Sequence, residues 1–160
     1  MKKILIIEDN PRHLQDAKEY FRNLKDSEFS FIFKESYCSI GHRAEDINVS
    51  EYQGVISDIY FPYQPGDEVQ PIGVSVMFQA VTLGIPFIFC TDGHHHGSRY
   101  QWINNMCAEL REAGVCEFPW MIDSLRGSNK LSKEGLDGAR VATKGWAKAW
   151  DEIKGRLCEC

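Results

Sequence analysis

Three separated stretches of the sequence end in oxygen-bearing side chains. Glu8-Asp9 follows Ile4-Leu5-Ile6-Ile7, Asp58 follows Val55-Ile56-Ser57, and Thr91-Asp92 follows Phe87-Ile88-Phe89-Cys90. Each apolar run is short and β-rich, as a strand buried on both faces should be. In an open parallel sheet the chemistry collects beyond the carboxyl ends of the strands. The three stretches therefore predict one shared pocket. Grouped carboxylates suit a hard, oxygen-seeking cation such as Mg²⁺ or Mn²⁺, and one of them can serve as a nucleophile. A single acid at a strand end would read as a helix cap or a solvated loop. Three polar strand ends together favour a site.

The intervening segments supply the elements that bring these ends together. Asn10-Pro11 offers an N-cap and a first-turn proline. Leu14, Ala17, Phe21 and Leu24 then mark one helical face. Phe29–Phe33 reads as a second strand, and Ile40, Ala44 and Ile47 as a short helix. Prolines 62, 65 and 71 exclude regular structure after Asp58. Val74–Leu83 is an apolar helix stopped by Gly84, and Ile103, Met106, Leu110 and Ala113 mark another, ended by Gly114. Val115–Phe118 fits a fifth strand, and residues 119–133 read as irregular. A last helix carries Ala139, Ala142, Trp146, Ala149, Ile153 and Leu157 on one face. Strand and helix thus alternate through five units. The expectation is an α/β domain spanning residues 1–160, with a doubly wound five-stranded parallel sheet, helices on both faces and an extended segment before the last helix.

Composition narrows the function. The chain has 160 residues, 18 basic and 23 acidic, for a net charge of −5. This argues against a dominant nucleic-acid-binding face. Met1-Lys2-Lys3 and four aliphatics imitate the start of a signal peptide but meet Glu8-Asp9 at once. No apolar run approaches membrane-spanning length. None of the six cysteines forms a C-x-x-C pair, which reads as free thiols in a reducing compartment. The expected location is cytoplasmic, with no direct nucleic-acid or membrane partner.

The ordered motifs resemble the receiver domain of two-component response regulators. The resemblance rests on Ile6-Ile7-Glu8-Asp9-Asn10, on Val55-Ile56-Ser57-Asp58-Ile59-Tyr60-Phe61-Pro62, on Ile85-Pro86-Phe87-Ile88-Phe89-Cys90-Thr91, and on Ala113-Gly114-Val115 with Phe118. It implies a flavodoxin-like fold and a phosphoacceptor at Asp58. It further implies a Mg²⁺ site formed by Glu8, Asp9, Asp58 and the Tyr60 carbonyl, a phosphoryl contact at Thr91 and a switch aromatic at Phe118. The implied partners are a histidine kinase or phosphotransfer protein, and a downstream protein bound through the last two helices. The resemblance implies no enzyme beyond autodephosphorylation.

Several features depart from the family. Its lysine after strand five would fall near Met121, yet residues 115–123 contain none. Lys130 and Lys133 are the candidates to replace it. Asp92 stands where the family prefers a small residue. Gly93-His94-His95-His96-Gly97 with Asp92 and Cys90 offers part of a Zn²⁺ site, although a polar loop is the simpler reading. Gln64–Gln70 lengthens the loop after Asp58, where Asp67 and Glu68 are expected to be solvated. Trp146 and Trp150 share a helical stripe and read as core, and His13 and His42 as surface residues. The leading expectation is a stand-alone receiver-like module that switches partner binding on phosphorylation of Asp58. The alternatives are a pseudo-receiver without phosphorelay, and a metal-dependent hydrolase using Asp58, Asp92 and His94–His96.

Overall fold

The computed structural model describes residues 1–38, 47–91, 98–114, 120–123 and 144–158. In chain order its elements are β1 (Lys2–Ile7), α1 (Pro11–Asn23), β2 (Phe29–Lys34), a 3₁₀ turn (Val49–Glu51), β3 (Gly54–Ser57) and β4 (Phe61–Pro62). They continue with β5 (Val69–Gln70), α2 (Ile72–Thr82), β6 (Phe87–Thr91), α3 (Ser98–Glu112), β7 (Trp120–Asp123) and α4 (Trp146–Cys158). The main sheet is parallel, in the order β2-β1-β3-β6, with β7 paired along the outer side of β6. β4 and β5 form a small antiparallel ribbon in the connection after Asp58. No helix among the described residues is long and apolar enough to cross a membrane.

Alternation along the strands divides the core in two. Leu5, Ile7, Val55, Phe87 and Phe89 face α2 and α3, where Val76, Met77, Ala80, Ile103 and Cys107 complete one cluster. Ile4, Ile6, Ile56, Ile88 and Cys90 face α1 and α4, meeting Ala17, Phe21, Trp146, Ala149, Trp150, Ile153 and Leu157. Both faces of the sheet are thus covered by helices, and the near-continuous apolar strands follow from that.

Local signals explain the element ends. The Asn10 side chain accepts from the Arg12 N–H at 3.0 Å, and Pro11 opens α1. Gly84 and Gly114 have φ of +68° and +67° and end α2 and α3, as left-handed positions favour glycine. The stripe read along α1 is buried at Leu14, Ala17 and Phe21, but it also takes in His13, expected on the surface and found only 6% exposed. His13 adjoins Leu14 on the inward side of the helix, and the periodicity read from aliphatic residues overlooked it.

The strand beyond β6 differs from expectation in position. It occupies Trp120–Asp123, inside the stretch read as irregular, whereas residues 115–118 lie outside the described residues. A proline immediately before a strand removes no ladder hydrogen bond, so Pro119 is compatible with a strand that starts at Trp120. The short helix expected around Ile40–Ile47 falls mostly on residues outside the description, as do Ala139 and Ala142 of the last helical face.

α4 closes the second core through aromatic contacts. Trp150 meets Phe29 and Phe31 edge-on, with ring centroids at 4.8 and 5.1 Å. Trp150→Ala is expected to destabilise the fold by about 3–5 kcal/mol, the range for truncating a buried aromatic, measured by urea unfolding.

Candidate functional site: an acidic cradle closed by Lys144

The parallel ladder sets the acids side by side. The Asp58 N–H donates to Ile7 O at 2.9 Å, and the Glu8 N–H donates to Lys34 O at 3.0 Å. These bonds extend the sheet by one step and carry both acids just past the ends of β3 and β1. Glu8 is fully buried, Asp58 nearly so, and Asp9 half-buried. One carboxylate oxygen from each of Glu8, Asp9 and Asp58 lies within 4.8 Å of the others. The sequence-predicted acids therefore do meet in one cradle.

The cradle also holds a residue that sequence reasoning missed. Lys144, only 3% exposed, sends its ammonium between two of the acids. It donates to Asp58 Oδ2 at 2.5 Å and to Glu8 Oε2. The remaining oxygens are also engaged. Glu8 Oε1 accepts from the Asn10 N–H at 3.0 Å, and Asp58 Oδ1 accepts from the Ile59 N–H at 2.6 Å. Residues 115–123 hold no lysine, and Lys144, which the candidates Lys130 and Lys133 did not include, stands beside Asp58. The candidates Lys130 and Lys133 assume a shorter link from the last strand to the last helix. Lys144 instead comes much later, immediately before α4. Gly145 follows it, and then the apolar stripe of Trp146, Ala149 and Ile153. Lys130 and Lys133 lie outside the described residues.

Burial dominates the electrostatics. It raises the Glu8 carboxyl from 4.5 to about 7; the Asp58 charge adds to the rise and Lys144 opposes it. Asp9 is likewise raised, first by burial and then by Asp58. Burial would lower the Lys144 ammonium, but the charges of Asp58 and Glu8 outweigh it and hold the ammonium above the ordinary lysine range. Three carboxyl groups thus share one cation. That imbalance, with oxygen donors on every side, suits a divalent hard cation.

The floor of the cradle needs a glycine. The Gly73 N–H donates to Ile59 O at 3.0 Å, drawing the start of α2 onto the backbone after Asp58. A Cβ at Gly73 would stand 2.3 Å from the Asp58 carbonyl oxygen and 3.0 Å from Ile59 Cα. Both contacts are to backbone, so the loop carrying the acid would have to move. Ser57 Oγ donates to that same Asp58 carbonyl at 2.6 Å.

Thr91 ends β6, fully buried, on the strand beside β3. Tyr60, half-buried, is two residues past Asp58. Phe118, Asp92 and His94–His96 lie outside the described residues. Cys90 belongs to the core facing α1 and α4, its thiol pushed up by burial. Asp67 and Glu68 are exposed on the β4–β5 turn, where Asp67 Oδ2 accepts from the Gln64 N–H at 3.0 Å.

Comparison of the chain with family models, curated proteins and solved structures finds no match.

Two substitutions test the cradle. Lys144→Met leaves buried carboxylates without their cation and is expected to destabilise the fold by about 3–5 kcal/mol at pH 8. A carboxyl whose folded pKa exceeds its unfolded value gives stability that is present at low pH and lost as pH rises through the folded pKa. For Glu8 that window runs from 4.5 to about 7. The Lys144→Met penalty should therefore shrink between pH 8 and pH 5.5, as read by denaturant unfolding at each pH. Gly73→Ala should cost about 1–3 kcal/mol through overpacking, and the amide resonances of Asp58 and Ile59 should shift more than those of β2.

Proposed function

We propose that the protein is a receiver-like signalling module, with a doubly wound, flavodoxin-like sheet, that accepts a phosphoryl group on Asp58. The observation that carries this reading is the Lys144 ammonium held between Glu8 and Asp58 in a cradle of three acids. An acid that is to take up a phosphoryl group needs a cation fixed beside it, because the transferred group brings charge on its three equatorial oxygens. Lys144 meets that need at a fixed address.

The residues divide the work. Asp58 Oδ2 attacks phosphorus of a phosphohistidine or a small acyl phosphate. The new O–P bond forms as the bond to the donor's nitrogen or oxygen breaks, and the bonding pair leaves with the donor. Asp58 Oδ1 stays on the Ile59 N–H, which fixes the plane of the carboxylate. Lys144, displaced from Asp58 Oδ2, pairs with the incoming phosphoryl oxygens while Glu8 keeps it in place. Thr91, at the end of the neighbouring strand, is the hydroxyl assigned to the phosphoryl group. Glu8, Asp9, Asp58 and the Tyr60 carbonyl would hold Mg²⁺ or Mn²⁺. Such a cation supplies charge neutralisation for the acids and the phosphoryl oxygens. The proposed donor is a histidine kinase or phosphotransfer protein. The proposed output is a protein contact through α3 and α4, and no turnover of a diffusible substrate is part of the proposal.

Intact-protein mass after incubation with acetyl phosphate and Mg²⁺ tests the reading. The expected result is a gain of one phosphoryl group, lost in Asp58→Asn. No gain from acetyl phosphate, and none from any phosphohistidine donor, would instead favour an interaction module that does not relay phosphate. Mg²⁺ affinity should also rise as pH climbs through about 7, because Glu8 must lose its proton to act as a ligand.

A further inference from the structure

Lys144 lies outside the described helices and strands, yet it is buried and its ammonium is bonded to two carboxylates. What fixes it is the start of α4. The Trp146 N–H donates to Lys144 O at 2.8 Å, closing a tight turn over Gly145. The Lys144 ammonium stands 6.0 Å from the centre of the Trp146 ring, at the limit of a cation–π contact. The ring is itself seated. Trp146 is 3% exposed, and its centroid lies 6.3 Å from Phe21 of α1 in an edge-on arrangement.

A buried tryptophan usually spends its indole N–H on an acceptor. Among the described residues, Trp146 Nε1 has none. Among the described residues, then, the indole N–H gives no reason for tryptophan here, whereas a broad apolar face beside the ammonium does. Lys144, Gly145 and Trp146 also border a cleft of about 620 Å³ between α1 and the first turn of α4. Removing the ring would open the ammonium's side of the cradle to that cleft.

We propose that Trp146 is a positioning residue, whose ring, braced on Phe21, sets Lys144 between Glu8 and Asp58. The proposal deepens the phosphoacceptor reading, since it names the group that aims the proposed phosphoryl-binding lysine. Its first consequence concerns access, and that requires no phosphate chemistry. Without the ring, the lysine swings into the cleft and becomes reactive. Its second consequence concerns charge. With the ammonium withdrawn, the three acids hold a divalent cation more tightly, whereas a general loosening of the fold would weaken that binding.

The test is competitive acetylation of lysines with acetic anhydride, read residue by residue by mass spectrometry, on the full chain. Lys144 should react at least tenfold more slowly than exposed Lys148 in the wild type and in Trp146→Phe, which keeps a ring face. In Trp146→Ala it should react about tenfold faster than in the wild type. Trp146→Leu preserves apolar bulk should the alanine variant fail to fold, and should show about a threefold gain. Trp150→Leu, one turn further along the same stripe, is the control for lost packing alone and should leave Lys144 protected. Mg²⁺ affinity, by calorimetry, should rise severalfold in Trp146→Leu and in Lys144→Met. Unchanged protection of Lys144 in Trp146→Ala and Trp146→Leu would overturn the proposal. So would equal exposure in Trp150→Leu, or a fall in Mg²⁺ affinity in Trp146→Leu. A wild type that binds no Mg²⁺ and gains no phosphoryl group would sink the phosphoacceptor reading alone, because the acetylation pattern decides the role of Trp146 independently.

Discussion

One ammonium shared by two buried carboxylates is the interaction on which the site depends. Taking Glu8 and Asp58 out of water is costly, and burying a second acid beside the first compounds it. Lys144 offsets part of that cost and leaves the rest. The residue appears as the raised Glu8 and Asp9 carboxyls. A cradle in that condition has surplus negative charge and fixed oxygen donors. Under the proposed function a divalent cation would supply the rest of the compensation.

The fold exists on both sides of this constraint. Hydrogen bonds continuing β1 and β3 hold Glu8 and Asp58 in register, so the acids are placed by the parallel ladder. The lysine is placed by a helix terminus. The inward stripe of α4, from Trp146 to Leu157, docks on the same sheet face as α1. The anion and cation halves of the site are thus carried by different structural layers and meet only when α4 is seated. Gly73 adds a third layer, letting α2 approach the backbone of Asp58 more closely than any side chain would allow.

Much of this was legible in the residues. Short apolar runs ending in Glu8-Asp9, Asp58 and Thr91 were enough to predict a parallel α/β sheet and the convergence of three acids. Strand-end chemistry depends only on topology, which alternation fixes. Lys144 was not legible, because its role depends on how far the chain travels after β7 before it returns. Spacing rules assume short links, and this one is long. The strand expected at residues 115–118 also differs, because β7 spans Trp120–Asp123, inside the stretch read as irregular. His13 was misplaced because only aliphatic and aromatic positions were counted along α1. The requirement for glycine at position 73 is set by a backbone approach across the fold, which no local pattern records.

The account turns on whether Lys144 and Asp58 are energetically coupled in the folded protein. A double-mutant cycle with Lys144→Met and Asp58→Asn, measured by denaturant unfolding at pH 8, tests this most directly. The account predicts a coupling energy above about 1.5 kcal/mol, because each single change strands the other partner's charge inside the cradle. Additivity to within about 0.5 kcal/mol would mean that the two groups do not share a site. It would contradict the account at its root.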